Sequence, residues 1–89
     1  MSTKATTNLN PTPLQKCRHK KGWRLVTVKQ KLIERGTPVS WPILVNVDRG
    51  FKMVKGKKMP YHPFDRTLAD IGRLFKKKAK DIYEDRSQE

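Results

Sequence analysis

The chain has 89 residues, of which 21 are Lys or Arg and 8 are Asp or Glu, for a formal net charge of +13. Hydrophobic residues make up 35% of it, below the roughly 45–50% usual for a globular domain, and a domain of this length buries only about 60–65% of its unfolded surface. One compact, marginal core is allowed and a large enclosed active site is disfavoured. No apolar run approaches the roughly 18 residues of a membrane helix, no signal-peptide stretch opens the chain, and Cys17 alone makes neither an internal disulfide nor a structural zinc site. These features read as a soluble, cytoplasmic chain with no membrane partner.

Residues 1–11 are rich in Thr, Asn and Ser with little to bury, which predicts a disordered arm. Thr12 is a plausible N-cap and Pro13 suits a helix's first turn. Leu14 and Cys17 recur at i and i+3, Lys20 and Lys21 precede Gly22, and a short helix over residues 13–21 follows. Trp23 is placed to fold apolar surface back onto its end. From Arg24 to Arg35, Leu25, Val28 and Leu32 form one helical face opposite Lys29, Gln30, Lys31 and Glu34, until Gly36-Thr37-Pro38 breaks the pattern.

Residues 40–50 fit two readings. Their β-branched content suits a buried strand, whereas Ser40 as cap, Pro42 in the first turn, Leu44 and Val47 at i and i+3, and Gly50 as stop suit a helix, with Val39 as a staple. Helix is favoured. Residues 50–66, rich in Lys, Gly, Pro and aromatics, read as a long loop with room for a hairpin around Lys55-Gly56-Lys57. Asp65 is a candidate N-cap for a fourth helix with Leu68, Ile71 and Phe75 in register and Leu74 beside them. A final turn from Ala79 to Tyr83 adds Ile82 and Tyr83. The expected organisation is an arm (1–11), one domain (12–84) and a polar tail (85–89).

The charge is uneven. No acidic residue precedes Glu34, and cations cluster again at Arg49–Lys58 and Arg73–Lys80. A sequence pI near 10.3 is the expected footprint of a nucleic-acid binder, which gains by releasing condensed counterions. A solubilising surface or attraction to an anionic membrane is the plainer explanation of such charge.

Two helices separated by a tight turn, the second entering after Val39-Ser40, follow helix-turn-helix logic: the first braces the second, whose exposed face enters the major groove. Here the chain resembles the Cro/phage-repressor (XRE) helix-turn-helix family over residues 13–50 and 65–84. The resemblance rests on Leu14-x-x-Cys17-Arg18-x-x-Lys21-Gly22-Trp23, on Leu32-Ile33-Glu34-Arg35-Gly36-Thr37-Pro38-Val39-Ser40, on Leu44-x-x-Val47-Asp48-Arg49-Gly50, and on Leu68-Ala69-Asp70-Ile71-Gly72-Arg73-Leu74-Phe75 followed by Asp81-Ile82-Tyr83. It implies an all-α, lambda-repressor-like bundle of four to five short helices, with Gly72 kept small for close packing.

Carried over, the resemblance implies base-reading positions at Trp41, Pro42, Ile43, Val45, Asn46 and Arg49, with Asn46 suited to an adenine edge and Arg49 to guanine or phosphate. Phosphate contacts are implied at Arg24, Lys29, Lys31, Ser40, Lys52, Lys55, Lys57 and Lys58. Arg24, Leu25 and Lys29 depart from the family's pattern in the second helix, Ile43 and Val45 stand where it is usually polar, and the basic 51–64 loop is atypical. Packing against that loop or a second protomer is the competing role for Trp41, Ile43 and Val45.

His19, His62 and the scattered carboxylates show no metal-ligand or catalytic spacing, and Cys17 lies on an apolar stripe, so neither an enzyme nor a cofactor is expected. Tyr61-His62-Pro63-Phe64 suits core cover or base stacking. The resulting expectation is a sequence-specific DNA-binding regulator, repressor-like, occupying its operator as a homodimer, cytoplasmic and nucleoid-associated, of phage, plasmid or bacterial accessory type. Trp41, Phe51, Met53, Met59 and Phe64 are candidate dimer residues. The alternatives are a protein-interaction module with only non-specific nucleic-acid affinity, and a β-containing RNA binder in which residues 41–47 pair with 50–55.

Overall fold

Thr12 opens the first helix through a full capping box: its hydroxyl accepts the Gln15 N–H at 3.3 Å and the Gln15 side chain accepts the Thr12 N–H at 3.0 Å. The helix, α1 (Pro13–Lys20), ends where Gly22 donates to the His19 carbonyl (3.0 Å) and Trp23 to that of Arg18 (2.8 Å), the paired bonds of a Schellman motif. The same motif ends α2 (Leu25–Glu34), with Gly36 donating to Ile33 and Thr37 to Leu32. The computed structural model describes residues 10–88; the arm expected over residues 1–11 lies outside them up to residue 9.

The segment with two readings is helical. Helix α3 (Trp41–Arg49) carries Pro42 in its first turn, where no intrahelical N–H is needed, and stops at Gly50 with φ +89°. Leu44, Val47 and Asp48 form its buried stripe. Pairing of residues 41–47 with 50–55 as strands is thereby overturned.

The all-α expectation is corrected by a hairpin. Strands β1 (Lys52–Val54) and β2 (Lys57–Met59) pair antiparallel in the register Lys52–Met59, Met53–Lys58, Val54–Lys57. Lys55 (φ +50°) and Gly56 (φ +78°) make the two-residue turn, and consecutive positive φ angles match the twist of the strands. The turn falls where Lys55-Gly56-Lys57 left room for a hairpin, whereas the extent of the strands is unmarked, because every residue from Lys52 to Met59 is exposed and no alternation of apolar and polar residues is needed.

Helix α4 (Asp65–Phe75) takes Phe64, not Asp65, as its N-cap; Asp65 is instead the first helical residue, facing the positive helix end. A 3-10 turn, Ala79–Asp81, folds back onto α4. The chain leading into that turn passes close to Gly72, where a Cβ would lie 2.5 Å from the Lys77 carbonyl oxygen.

One core joins these elements. Leu14, Val28, Leu32, Val39, Leu44, Val47, Leu68, Ile71 and Ile82 are buried in it, with Cys17, Trp23, Leu25, Leu74, Phe75 and Tyr83 packed around them. Helix α3 rests on both α1 and α2, and α2 on α4. The segment read as a polar tail is tied in: the Arg86 N–H donates to the Gly50 carbonyl (2.8 Å), and its guanidinium donates to the carbonyls of Asn10 (2.8 Å) and Pro11 (3.1 Å).

Candidate nucleic-acid interface

Helical geometry sorts the residues of α3 into two sides. With Leu44, Val47 and Asp48 turned inward, Pro42, Val45, Asn46 and Arg49 follow at i, i+3, i+4 and i+7 along the outward side. Four of the six expected base-reading residues are thus brought onto one strip. Trp41 stands at its N-terminal rim, 42% exposed. Ile43 stands apart: it is half-buried against the core and lines a cleft of about 620 Å³ between the 36–40 turn and α4, with Arg66, Asp70 and Arg73.

The strip is braced from behind by an ion pair. Arg18 Nε donates to Asp48 Oδ1 at 2.8 Å and its second nitrogen to Oδ2 at 3.1 Å, a two-pronged grip supported by the Gln15 amide at 3.4 Å. The Thr12 hydroxyl donates to the Asp48 backbone carbonyl. Sequence reading missed this brace. Its signal was Asp48 four residues after Leu44, a charge on the apolar stripe of a helix, which demands a buried partner.

Asn46 and Arg49 are joined to one another. The Arg49 guanidinium donates to Asn46 Oδ1 at 2.8 Å and, through Nε, to the Phe51 carbonyl at 2.9 Å, while lying 4.9 Å from the Phe51 ring centroid. Arg49 thereby fixes the chain where α3 hands over to the hairpin. Lys58 covers the same ring, also at 4.9 Å. On the exit side the Tyr83 hydroxyl donates to the Tyr61 carbonyl (2.7 Å) and approaches that of Gly50 (3.3 Å). Burial pushes the phenols of Tyr61 and Tyr83 upward, and the negative charge of Asp85 adds to the effect at Tyr83.

The expected phosphate contacts fall into two groups. Lys52, Lys55, Lys57 and Lys58 all lie on the hairpin, which carries no acidic residue. Arg24 and Ser40 are the exposed N-caps of α2 and α3, and neither spends its side chain on a cap bond. Lys29 is half-buried on α2. Lys31 places its ammonium 5.6 Å from the Trp23 ring centroid, beside Lys21 at 5.2 Å, on a ring that itself packs on Phe75. Among the described residues no group of three His, Cys, Asp or Glu side chains is placed to hold a metal ion, and no helix is long and apolar enough to cross a membrane.

No family model matches the chain, and neither a curated protein nor a solved structure matches it.

Proposed function

We propose that the protein is a sequence-specific regulator that binds duplex DNA with α3 in the major groove and acts by occupying its site. The observation that carries this reading is the outward strip of Pro42, Val45, Asn46 and Arg49 on a helix held from behind by Arg18 and Asp48 and continued by an acid-free basic hairpin. A helix braced in this way holds its backbone in place for the groove, Asn46 and Arg49 exchange their mutual bond for bonds to bases, and the surrounding cations supply the phosphate attraction that sets register. The order of elements from α1 to α3 supports the resemblance to the Cro/phage-repressor family; the hairpin is an addition to that pattern. Binding as a two-fold dimer, in the cytoplasm and on the nucleoid, belongs to the same proposal.

Selection from a duplex pool with a randomised centre, followed by sequencing, tests it. An enriched motif that is lost in an Asn46→Ala/Arg49→Ala variant, with weak salt-sensitive binding retained, supports the reading. Binding without enrichment, indifferent to that variant, refutes base recognition by α3.

A second reading is a protein-interaction module on the same scaffold. It is favoured by apolar side chains outside the strip: Phe64 is 80% exposed, and Val26 and Ile33 on the outer side of α2 are 58% and 47% exposed. Exposed apolar side chains of this size are the material from which protein contacts are built.

A further inference from the structure

The hairpin shows two features that its own folding does not require. Every residue from Lys52 to Met59 is exposed, Met53, Val54 and Met59 at 41–45%, although a two-stranded hairpin with little covering surface is marginal in water. Its apex holds Lys55 at φ +50°, a conformation that costs a side-chain-bearing residue about 1–2 kcal/mol and that Asn, Asp or Gly fill readily in such turns. Beside Lys55, Gly56 (φ +78°) supplies the second left-handed residue of the turn, in open space. The sequence therefore keeps a cation at the tip of a slender projection at the expense of local strain.

The hairpin also starts directly at the end of α3. Arg49 bonds the Phe51 carbonyl and covers the Phe51 ring, and only Gly50 and Phe51 separate α3 from β1. At about 3.4 Å per residue, the three residues of β1 carry the apex about 10 Å beyond Lys52. From a helix seated in a major groove, a reach of that length is enough to pass the bordering phosphate backbone toward the next minor groove, about 6 Å wide.

We propose that the β1–β2 hairpin places its Lys55-Gly56 apex in the minor groove beside the major groove occupied by α3, with Lys52 and Lys57 on the phosphates between. This deepens the DNA-binding reading and rests on it. A glycine at the apex lets backbone approach the groove floor. An ammonium there gains most where the groove is narrow and its negative potential highest, so the hairpin favours A·T-rich sequence flanking the α3 site. The partner is duplex DNA because every charge on the hairpin is positive and its slim, two-residue tip suits a groove.

The test uses the full chain, the randomised duplex pool and two variants. Lys55→Asn removes the charge with a residue that suits the turn, and Lys55→Asn/Lys57→Gln removes two. Circular dichroism and melting verify folding. The expected result is that the wild-type protein selects a motif with an A·T-rich flank and protects that flank's minor groove from hydroxyl-radical cleavage. The variants lose the flank preference and protection, retain the central motif, and lower the slope of log affinity against log salt by about 0.9 for each contact removed. Variants that keep the flank, the footprint and the slope overturn the hairpin proposal while leaving base reading by α3 intact. A wild-type protein that binds no duplex overturns both. Binding without a central motif, but with minor-groove protection lost in the variants, overturns base reading and supports the hairpin. Variants that dissociate a dimer of the free protein without changing the salt slope overturn the hairpin proposal in favour of pairing between copies.

Discussion

Arg18 and Asp48, thirty positions apart, meet as a two-pronged ion pair whose side chains are only 16% and 10% exposed. The pair fastens the candidate recognition helix α3 to α1, and the Thr12 cap of α1 reaches the same residue's carbonyl. Removing one member leaves the other charge without its partner inside a small core. Asp48→Ala or Arg18→Ala is expected to cost about 3 kcal/mol, a fall in Tm on the order of 15 °C for a domain of this size. Thermal melts of both single variants and the double variant check this. The double variant should lose clearly less than the sum, because the second removal abolishes the stranded charge.

Gly50 and Gly72 are constrained by what surrounds them. Gly50 combines φ +89° with neighbours 2.7 Å from where a Cβ would sit, the Arg86 side chain and the Glu84 carbonyl. Gly50→Ala is expected to destabilise by at least about 2 kcal/mol, from left-handed strain plus displacement of the C-terminal segment. Gly72→Ala should cost about 1–3 kcal/mol by pushing the Lys77 carbonyl away from α4. Urea titrations measure both, and an unchanged midpoint in either would contradict the packing described.

Tyr83 gives stability a pH dependence. Its phenol is pushed above the ordinary 10.0 by burial and by Asp85, and Tyr61 is pushed up by burial. A folded-state pKa raised above the unfolded one contributes stability that is complete below about pH 10 and is lost as pH rises through the folded value. Ultraviolet titration should show phenolate formation in the native protein later than in the urea-unfolded chain, and native stability should fall above pH 10. Tyr83→Phe removes the bonds to Tyr61 and Gly50, should cost about 1 kcal/mol, and should reduce the alkaline loss.

On DNA, the three kinds of interface residue should separate. Asn46→Ala is expected to relax selection at one base position by about 1–3 kcal/mol. Arg24→Gln and Lys29→Gln should weaken binding alike on all sequences, each lowering the salt slope by about 0.9 where a phosphate contact is lost. Arg49→Lys keeps the charge but loses the fork that holds Asn46 and the Phe51 carbonyl, so it should weaken motif and flank selection together. Selection profiles on each variant, paired with salt titrations, distinguish these outcomes.

Local chemistry carries far in this chain. Thr12-Pro13, Lys21-Gly22 and Gly36 mark helix ends because caps and left-handed stops depend on adjacent residues alone. The spacing of Leu14, Val28, Leu32, Leu44, Val47, Leu68, Ile71 and Ile82 marks the core because helical period sets which side chains share a face. Pro42 and Gly50 bracket α3 for the same reason, and its outward strip follows from the inward one. The sequence therefore determined the four helices, their apolar faces and the cationic character of the surface.

Tertiary structure decided the rest, since it depends on pairs far apart along the chain. The partner of Asp48 was not legible because any of many cations could answer one buried carboxylate, and only the packing of α1 on α3 selects Arg18. The packing of Ile43 toward α4 rather than outward, and the hold of Arg49 on Phe51, depend on where neighbouring elements stand. The turn of the Lys-rich hairpin was legible in Lys55-Gly56-Lys57, but its strands left no periodic mark, because exposed strands need no apolar alternation. Arg86 could become a clasp rather than a tail residue only when folding carried the carbonyls of Asn10, Pro11 and Gly50 within its reach.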